Sequence, residues 1–392
     1  MNPFLADLEA LHMATEMLAP TSGRPAANLP AAVPKTGVGP IAALEHLAPI
    51  VLDGARDLGA PGFFAHMDPP TPWITWAVSQ WTASRNQNLL HPDVAPTARE
   101  LERTVLGWFA PLFGMDGGHM TPGSTIANLT ALWAARETGC TEVVTTANAH
   151  LSVKKSAHIL GMGYREVEWE RPGDLSSAVA VITAGCTSTG EIEPLDAAPG
   201  ARWRHVDAAW SGPLRLSPTH RHLLDSIESA DSVAVSAHKW LFQPKESALV
   251  MFTDTETAHA SISLDGAYLA VPNVGVLGSH GATAVPLAAT VLAYGLDGVS
   301  SWIDQSMALA DRLHTLVVAH PELEARSTPL SGVLNWRRTD QTIPELDDVF
   351  VSTTVIDGQT WLRSVAANPM ADPELVVSAV VDRSPSPRSP QM

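Results

Sequence analysis

Cysteine is scarce in this sequence, and the two that occur, Cys140 and Cys186, belong to no CxxC motif or Cys/His cluster. We therefore expect neither a disulfide framework nor a metal site, and a reducing compartment fits this composition. The N-terminus carries acidic residues and has no basic residue before Arg24, which is unlike a secretory signal. These absences together predict a cytoplasmic protein.

Basic residues are also few. The 392-residue chain has 24 Lys and Arg against 41 Asp and Glu, a formal charge of −17. Binding to nucleic acid or to an anionic membrane needs clustered positive charge, so neither partner is expected. The apolar stretch around residues 282–295 is too short and too interrupted by proline to predict a membrane span. A single local arginine can still bind a small anion within such an acidic protein.

The chain is long enough for one large and one smaller domain, each with a buried core. From residue 118 to 255, short β-branched runs alternate with helical or turn segments. This alternation predicts an α/β fold around a mostly parallel sheet, with ligands gathered at the strand ends. The runs predicted as strands are 143–146, 179–183, 232–236 and 248–252. Helices are predicted over residues 4–18, 41–57, 77–86, 97–112, 283–320 and 373–381, and further strands over 332–336 and 349–356.

The motif His238-Lys239-Trp240, with Asp207 lying 32 residues upstream, carries the functional hypothesis. Both charged residues follow apolar runs, so the sequence places an amine and a carboxylate at two strand ends. A pyridoxal phosphate (PLP) enzyme needs this pair, because the amine forms a Schiff base with the cofactor aldehyde and the carboxylate keeps the pyridine nitrogen protonated. The alternative for an isolated His-Lys pair is an exposed lysine beside a structural histidine.

Three further segments fall in the order that such a site requires. Residues 120–132 begin with small residues and run into a helix, whose first N–H groups suit a phosphate, although an ordinary helix start has the same pattern. His150 is predicted at a strand end before a helix, with a core or surface histidine as the alternative. Residues 184–194 supply a polar turn after the next strand.

Taken together, these segments resemble the PLP-dependent group II amino-acid decarboxylases, the glutamate and aromatic-amino-acid decarboxylase family of the aspartate aminotransferase fold. The resemblance extends from about residue 60 to 380 and is strongest over 118–245. It implies fold type I, with a seven-stranded sheet in the large domain and a small C-terminal α+β domain. It also implies an L-amino-acid substrate, decarboxylation to an amine and CO2 through an external aldimine and a quinonoid, and a homodimer with active sites at its interface.

The resemblance assigns roles residue by residue. Lys239 matches the Schiff-base lysine, and His150 matches the catalytic residue that stacks on the cofactor ring. Arg363 matches the arginine that pairs with the substrate carboxylate, with a solvated strand arginine as the alternative. Asn128 also matches a family position, for which a structural role is expected. The remaining assignments to cofactor binding are Gly123, Ser124, Thr125, Thr187, Asp207, Ala209, Ser236, His238, Gly278 and Ser279.

Two departures from the family pattern leave the outcome of the reaction open. The segment 270–277 is short and contains no tyrosine, where the family carries a long loop with a tyrosine that protonates the carbanion. The family's Gly-Ser-Arg is here Gly278-Ser279-His280, which makes His280 the candidate for substrate binding. The candidate proton donors are His150, Tyr268, His280 and Lys239. From the missing loop we expect slow decarboxylation or a diverted PLP reaction. The diverted reaction would be transamination, lyase chemistry or C–C bond formation. A non-catalytic homologue is a third, less favoured possibility.

The expected division of the chain has four parts. Residues 1–57 would form an N-terminal arm with helices that packs on a second subunit, 58–300 the PLP-binding large domain, and 301–383 the small C-terminal domain. The composition of 384–392 predicts a disordered tail.

Overall fold

The computed structural model describes residues 6–19 and 28–382. It divides the chain into two compact units, residues 1–58 and residues 59–392. Residues 1–5 and 20–27 of the expected N-terminal arm, and the expected tail at 384–392, lie outside the described residues.

The described part of the first unit contains two short α-helices. Helix α1 spans Leu8–Glu16, and its N-terminus is capped by the Asp7 carboxylate, which accepts a hydrogen bond from the Ala10 amide at 3.0 Å. Helix α2 spans Pro40–Ala48 and begins with proline in its first turn, where the missing N–H is not needed. It continues into a π-helical turn, Pro49–Asp53. Both helices were predicted, although α1 is shorter within the described residues than the expected 4–18.

A seven-stranded sheet organises the second unit, in the order β1-β7-β6-β5-β4-β2-β3. Strand β7 runs antiparallel to β1 and β6, whereas β6, β5, β4, β2 and β3 are parallel to one another. Every residue of β4, β6 and β7 is buried, as expected for strands covered on both faces. The strand bounds are β1 Gly117–Thr121, β2 Glu142–Thr145, β3 Gly163–Glu166, β4 Ala178–Thr183, β5 Trp203–Asp207, β6 Ser232–Val235 and β7 Ala248–Phe252. This architecture confirms the predicted fold class.

Helices cover the sheet and connect it to the C-terminal part. They are α3 Trp73–Arg85, α4 Pro96–Phe109, α5 Ser124–Glu137, α6 Leu151–Leu160, α7 Thr255–Ser261, α8 Ala284–Ala319 and α9 Pro373–Asp382. Short 3-10 turns occupy Ala110–Phe113, Gly212–Leu216, Arg221–Leu224 and Ile227–Ser229. A two-stranded hairpin pairs β8, Ser263–Leu264, with β9, Asn273–Val274. The short segment 270–277 therefore includes one strand of a small hairpin.

The C-terminal part forms a four-stranded antiparallel sheet in the order β10-β11-β13-β12. Its strands are β10 Leu323–Ala325, β11 Val333–Arg338, β12 Ser352–Ile356 and β13 Gln359–Val365. The sequence predicted β11 and β12 but neither β10 nor β13. Strand β13 matters for function because it carries Arg363.

A tryptophan pair anchors the two key strand ends to this smaller sheet. The rings of Trp210 and Trp240 stack with their centroids 4.0 Å apart. The Trp210 indole N–H donates to the Ser331 carbonyl at 2.7 Å, and that of Trp240 to the Ala366 carbonyl at 3.2 Å. Gly332 has φ +71°, and a Cβ there would lie 2.7 Å from the Trp240 ring. The turns after β5 and β6 are therefore held rigidly against the C-terminal sheet.

Helix α8 is broken at Gly295, whose φ of 67° and ψ of 174° are not helical. By length and composition alone this 36-residue segment could cross a membrane, and it is the one such candidate in the described part of the chain. The break at Gly295 interrupts its backbone hydrogen bonds, and buried residues on it, such as Leu287, Ile303 and Leu313, belong to the cores of the fold. These features are those of a core helix.

Candidate active site

The predicted site residues gather at the carboxyl ends of the parallel strands. Asp207 ends β5, Lys239 lies in the turn after β6, Thr187 follows β4, and His150 follows β2. Because parallel strands end at the same edge of a sheet, these separate motifs converge there. The predicted positions of all four residues relative to their strands are confirmed.

Lys239 is half-buried, and charged groups surround its amine. Burial lowers the pKa of Lys239, while the carboxylates of Asp207 and Asp68 act in the opposite direction. A depressed pKa leaves more of the amine unprotonated, which is the form that attacks an aldehyde. The alternative of an exposed lysine on the surface is therefore wrong.

The Asp207 carboxylate is buried and held at both oxygens. Oδ2 accepts a hydrogen bond from Asn128 Nδ2 at 2.8 Å, and Oδ1 accepts from the Ala209 amide at 3.2 Å. These two donors fix the orientation of the carboxylate. Only 4% of the residue is exposed, so the negative charge sits in a place where a buried cationic ring nitrogen would stabilise it.

His150 occupies the N-cap position of α6. Its Nδ1 accepts a hydrogen bond from the Ser152 amide at 3.2 Å and lies 2.8 Å from the Ser152 hydroxyl. Burial lowers the pKa of His150, with Asp207 acting to raise it. The imidazole is thus neutral near pH 7, and the charges of both Lys239 and Asp207 act on it. This arrangement places it in the cluster, as predicted.

The start of α5 and the turn after β6 form a polar cradle suited to a phosphate. Gly123 precedes α5 with φ +113°, and a Cβ at this position would lie 3.4 Å from the His238 ring. The first amides of α5, at Ser124 and Thr125, have no acceptors within the helix and are available to an anion. The buried hydroxyl of Ser236 has no hydrogen-bond partner within the described residues.

An unpartnered buried hydroxyl is costly unless a ligand satisfies it. Ser247 Oγ, close to His238, is also buried without a hydrogen-bond partner among the described residues. The combination of a helix start, a glycine with room beside it and unsatisfied hydroxyls close to a half-buried lysine fits PLP.

Arg363 lies on β13 with 8% of its surface exposed, so the alternative of a solvated arginine is wrong. Its Nε donates to the Thr187 carbonyl at 2.7 Å, and Nη1 donates to the Ser352 hydroxyl at 3.2 Å. A guanidinium has five N–H bonds, so further donors are left for a carboxylate. Burial lowers the pKa of Arg363, and Asp68 partly offsets this effect.

The segment Gly278–His280 makes its contacts away from this cluster. The Ser279 hydroxyl accepts from Asn88 Nδ2 at 3.1 Å, and the His280 carbonyl accepts from the Leu89 amide at 3.0 Å. His280 lines a separate cavity of about 200 Å³ together with Glu102 and His119. Within one chain, the structure therefore brings Gly278, Ser279 and His280 together with the connection between α3 and α4 rather than with Lys239.

Sequence reasoning missed several members of the cluster. Asn128 was expected to have a structural role, but it donates a hydrogen bond to Asp207. Asp68, in the loop before α3, forms an ion pair with Lys245 and influences the Lys239 amine. His205, two residues before Asp207 on β5, bonds to Asn128. The only local signal for His205 was a polar residue at a strand position where an apolar one is usual.

Buried histidines give the fold a predictable acid sensitivity. Burial lowers the pKa of His205 to about 4, and that of His238 also to about 4. The unfolded chain binds protons to these side chains below about pH 6.5, whereas the folded protein does not until near pH 4. Stability contributed by the neutral rings is therefore complete above pH 6.5 and is lost as the pH falls towards 4.

We expect His205 alone to lower the free energy of unfolding by about 2 kcal/mol between pH 7 and pH 5. Chemical denaturation at a series of pH values measures this slope. In the variant His205→Gln the loss between pH 7 and pH 5 should shrink by that amount, because glutamine does not titrate. An unchanged slope would show that His205 is already protonated in the fold.

Comparison with known proteins identifies the family. The family model described as "Pyridoxal-dependent decarboxylase conserved domain" matches residues 26–333. Aspartate 1-decarboxylase of Aliivibrio fischeri is 28% identical over 364 residues, which cover 75% of this chain and 66% of that enzyme. L-2,4-diaminobutyrate decarboxylase of Rhizobium meliloti is 28% identical over 405 residues, 88% of this chain and 81% of that enzyme.

A solved structure supports the same fold. The crystal structure of Oryza sativa TDC with PLP and tryptamine has a TM-score of 0.84 and 20% sequence identity, and the match covers 97% of both chains. The family and these relatives point to PLP-dependent amino-acid decarboxylation, and the diverted reactions expected from the short loop are not favoured.

Proposed function

The chain belongs to the pyridoxal-dependent decarboxylase family, and from this premise we propose that it decarboxylates an L-amino acid to an amine and CO2 at the cluster around Lys239. One observation carries the assignment of the site. A half-buried lysine with a depressed pKa shares its surroundings with a buried carboxylate, Asp207, which is held by two hydrogen bonds.

When bound, PLP supplies an electron sink for the bond that breaks at the substrate α-carbon. Lys239 would hold the cofactor covalently, and its amine would be the group that moves protons near the substrate α-carbon. Asp207 keeps a proton on the pyridine nitrogen, because its charge stabilises the cationic ring. Gly123, Ser124 and Thr125 bind the phosphate through the start of α5, with His238 and Ser236 beside them.

The orientation of the substrate relative to the cofactor selects which bond breaks at the α-carbon. The residues around the cofactor site would set that orientation. His150 and Ala209 would contact the cofactor ring from opposite sides, and Thr187 would lie near its hydroxyl. Arg363 binds the substrate carboxylate from β13, where its remaining N–H groups are uncommitted. A carboxylate held perpendicular to the ring is the group that leaves, so a fixed guanidinium favours decarboxylation.

The experiment uses the purified enzyme with PLP and amino acids labelled with 13C at the α-carboxyl group. Aspartate, 2,4-diaminobutyrate, cysteine sulfinate and the aromatic amino acids are tested first, because the relatives and fold neighbours are named for them. We expect labelled CO2 and one equivalent of the matching amine. A keto acid or an aldehyde formed in place of the amine would contradict the proposal.

Replacing Arg363 with alanine is expected to raise the substrate KM by about 30-fold or more, since a buried carboxylate loses its charged partner. The visible spectrum of the bound cofactor should stay unchanged. Arg337→Ala is the matched control: Arg337 is equally buried on neighbouring β11, but it pairs with Glu324 and stacks on Trp361. Equal KM values for Arg363→Ala and Arg337→Ala would reduce Arg363 to a structural residue.

We also propose that the enzyme is a homodimer with active sites at the subunit interface. Helix α3 exposes three tryptophans, Trp73, Trp76 and Trp81, with 63%, 47% and 66% of their surfaces exposed. Large apolar side chains on one exposed helix are typical of a surface that a partner covers. The positions of Gly278, Ser279 and His280, outside their own chain's cluster, fit residues that complete the site of a second copy.

Charge introduced on α3 should dissociate the dimer. We expect Trp76→Glu to shift the enzyme from dimer to monomer in sedimentation at micromolar concentration and to lower its activity at the same time. Val355→Glu, which changes an apolar residue on the edge strand β12 that is even more exposed, at 67%, is the control and should remain dimeric. A wild-type monomer with full turnover would contradict the interface site.

Two further proposals concern the domain bounds and the cellular location. We place residues 58–300 in the PLP-binding large domain and 301–383 in the small domain, since the seven-stranded sheet lies within the first range and the four-stranded sheet within the second. We also place the enzyme in the cytoplasm, where two buried unpaired cysteines such as Cys140 and Cys186 stay reduced.

A further inference from the structure

A chain of buried polar side chains runs beneath the cofactor site. Its members come from β5, β6 and the helices α5 and α6, and none has more than 4% of its surface exposed: His205, Ser232, Asn128, Ser152 and Asp207. Buried polar groups at this density are costly unless each donor meets an acceptor. That requirement fixes the position of nearly every proton in the chain.

The orientation of the Asn128 amide follows from Asp207. An ionised carboxylate only accepts hydrogen bonds, so the Asn128 atom 2.8 Å from Asp207 Oδ2 must be the nitrogen. The second N–H of the same group donates to Ser152 Oγ at 3.0 Å. The amide oxygen is then left to face His205 Nε2 at 3.0 Å.

The proton on His205 follows from Asn128. Because the amide oxygen only accepts, His205 must donate through Nε2–H. Burial lowers the pKa of His205 to about 4, so the ring is neutral and Nδ1 carries no proton. Nδ1 accepts from the Ser232 hydroxyl at 2.8 Å, and that hydroxyl in turn accepts from the Trp203 indole N–H at 2.9 Å. Each donor thus points in one direction, from β6 towards the site.

The proton on His150 follows from Ser152. The Ser152 amide lies 3.2 Å from His150 Nδ1 and can only donate, so Nδ1 is an acceptor. The Ser152 hydroxyl, whose oxygen accepts from Asn128, then directs its O–H at the same Nδ1, 2.8 Å away. Two donors at Nδ1 require that nitrogen to be unprotonated, so the neutral ring carries its proton on Nε2.

We propose that Asn128, held in orientation by His205, is a positioning residue that serves both sides of the cofactor site. Through one N–H it holds the Asp207 carboxylate, and through the other it orients the Ser152 hydroxyl, which together with the Ser152 amide sets His150 as the Nε2–H tautomer. His150 therefore presents a proton donor, and not an acceptor, at Nε2. This proposal deepens the proposed function and rests on its assignment of Asp207 and His150 to the cofactor.

The test measures the tautomer of His150 and the affinity for PLP. Nitrogen NMR of enzyme labelled with 15N-histidine distinguishes Nε2–H from Nδ1–H, and the His150 signal is identified by its loss in His150→Gln. PLP affinity is measured by titrating cofactor back into enzyme from which it has been removed. In the wild type we expect the Nε2–H form of His150.

Two pairs of variants isolate the positioning role. Asn128→Asp removes both N–H donors with almost no change in shape, and we expect PLP affinity to fall by about 10- to 100-fold. Asn368→Asp is its matched control, since Asn368 is also fully buried but donates to the Ala60 carbonyl. His205→Gln can place an amide N–H near the Nε2 position and should keep both the tautomer and the affinity, whereas His205→Asn is too short to reach Asn128 and should lose them.

The proposal is overturned if wild-type His150 is protonated at Nδ1, or if folded Asn128→Asp binds PLP as tightly as Asn368→Asp. If Asn128→Asp does not fold, the His205 pair decides, and equal behaviour of His205→Gln and His205→Asn overturns the proposal. A failure of the proposed function looks different: the wild type would release no CO2 from any amino acid while the tautomer and affinity results stand.

Discussion

Replacing Lys239 with alanine is expected to lower CO2 release by about 1,000-fold or more, since the variant loses both the covalent attachment of the cofactor and the amine that transfers protons. The burial that depresses the pKa of Lys239 prepares this amine for attack on the cofactor aldehyde. The variant should still bind PLP, because the cradle at Gly123 and Ser124 and the carboxylate of Asp207 remain. The visible absorption of the bound cofactor should shift, because its bond to the lysine is absent.

Lys154→Ala is the control for this experiment. Lys154 lies on α6, with its ammonium over the Tyr164 ring at 5.3 Å from the centroid, and takes no part in the cluster. Its activity and cofactor spectrum should match those of the wild type. If Lys239→Ala kept its activity while another lysine variant lost it, the assignment of the covalent lysine would be wrong.

Neutralising Asp207 is expected to have the second largest effect. In Asp207→Asn, turnover should fall by about 100-fold or more, because the protonated pyridine nitrogen loses its charged partner in a buried site. The new amide also brings an N–H group towards the Asn128 amide, which already donates at that position. PLP affinity and turnover should therefore fall together. Steady-state kinetics at saturating PLP and a separate PLP titration measure the two effects.

Asp231→Asn is the matched control for the loss of a carboxylate. Asp231 precedes β6, and its Oδ2 accepts from the Arg204 amide at 2.7 Å, at the end of the sheet opposite the cluster. It should lower stability but leave the cofactor spectrum and KM unchanged. Similar kinetic losses in Asp231→Asn and Asp207→Asn would mean that Asp207 acts only through the fold.

The parts of the site that the sequence predicted are those encoded locally. A β-branched run that ends in a charged residue indicates a strand end, and the order of such runs placed Asp207, Lys239 and His150 at one edge of the sheet. Parallel strands all end at the same edge of a sheet, so the position of these residues could be predicted without knowing any long-range contact. Local reasoning also indicated a helix start after residue 120, whereas the assignment of Gly123 to the phosphate came from the family resemblance.

The parts that the sequence did not predict depend on contacts between distant segments. Asn128 bonds to Asp207, 79 positions away in sequence, and to His205, 77 positions away. The residues that flank Asn128 give no signal of either partner. Arg363 is buried because β13 pairs with β11 and β12, and β13 was not predicted as a strand. The short segment 270–277 was interpreted as a sign of slow decarboxylation or of a diverted reaction, and the family and its relatives favour decarboxylation.

The identity of the lysine that bonds to the cofactor is the most direct test of the central claim. Purified enzyme is reduced with borohydride, digested, and analysed by mass spectrometry for the peptide that carries the reduced cofactor. We expect the label on Lys239 alone, with loss of the visible absorption band. Label on Lys245 or Lys154, with Lys239 unmodified, would contradict the account.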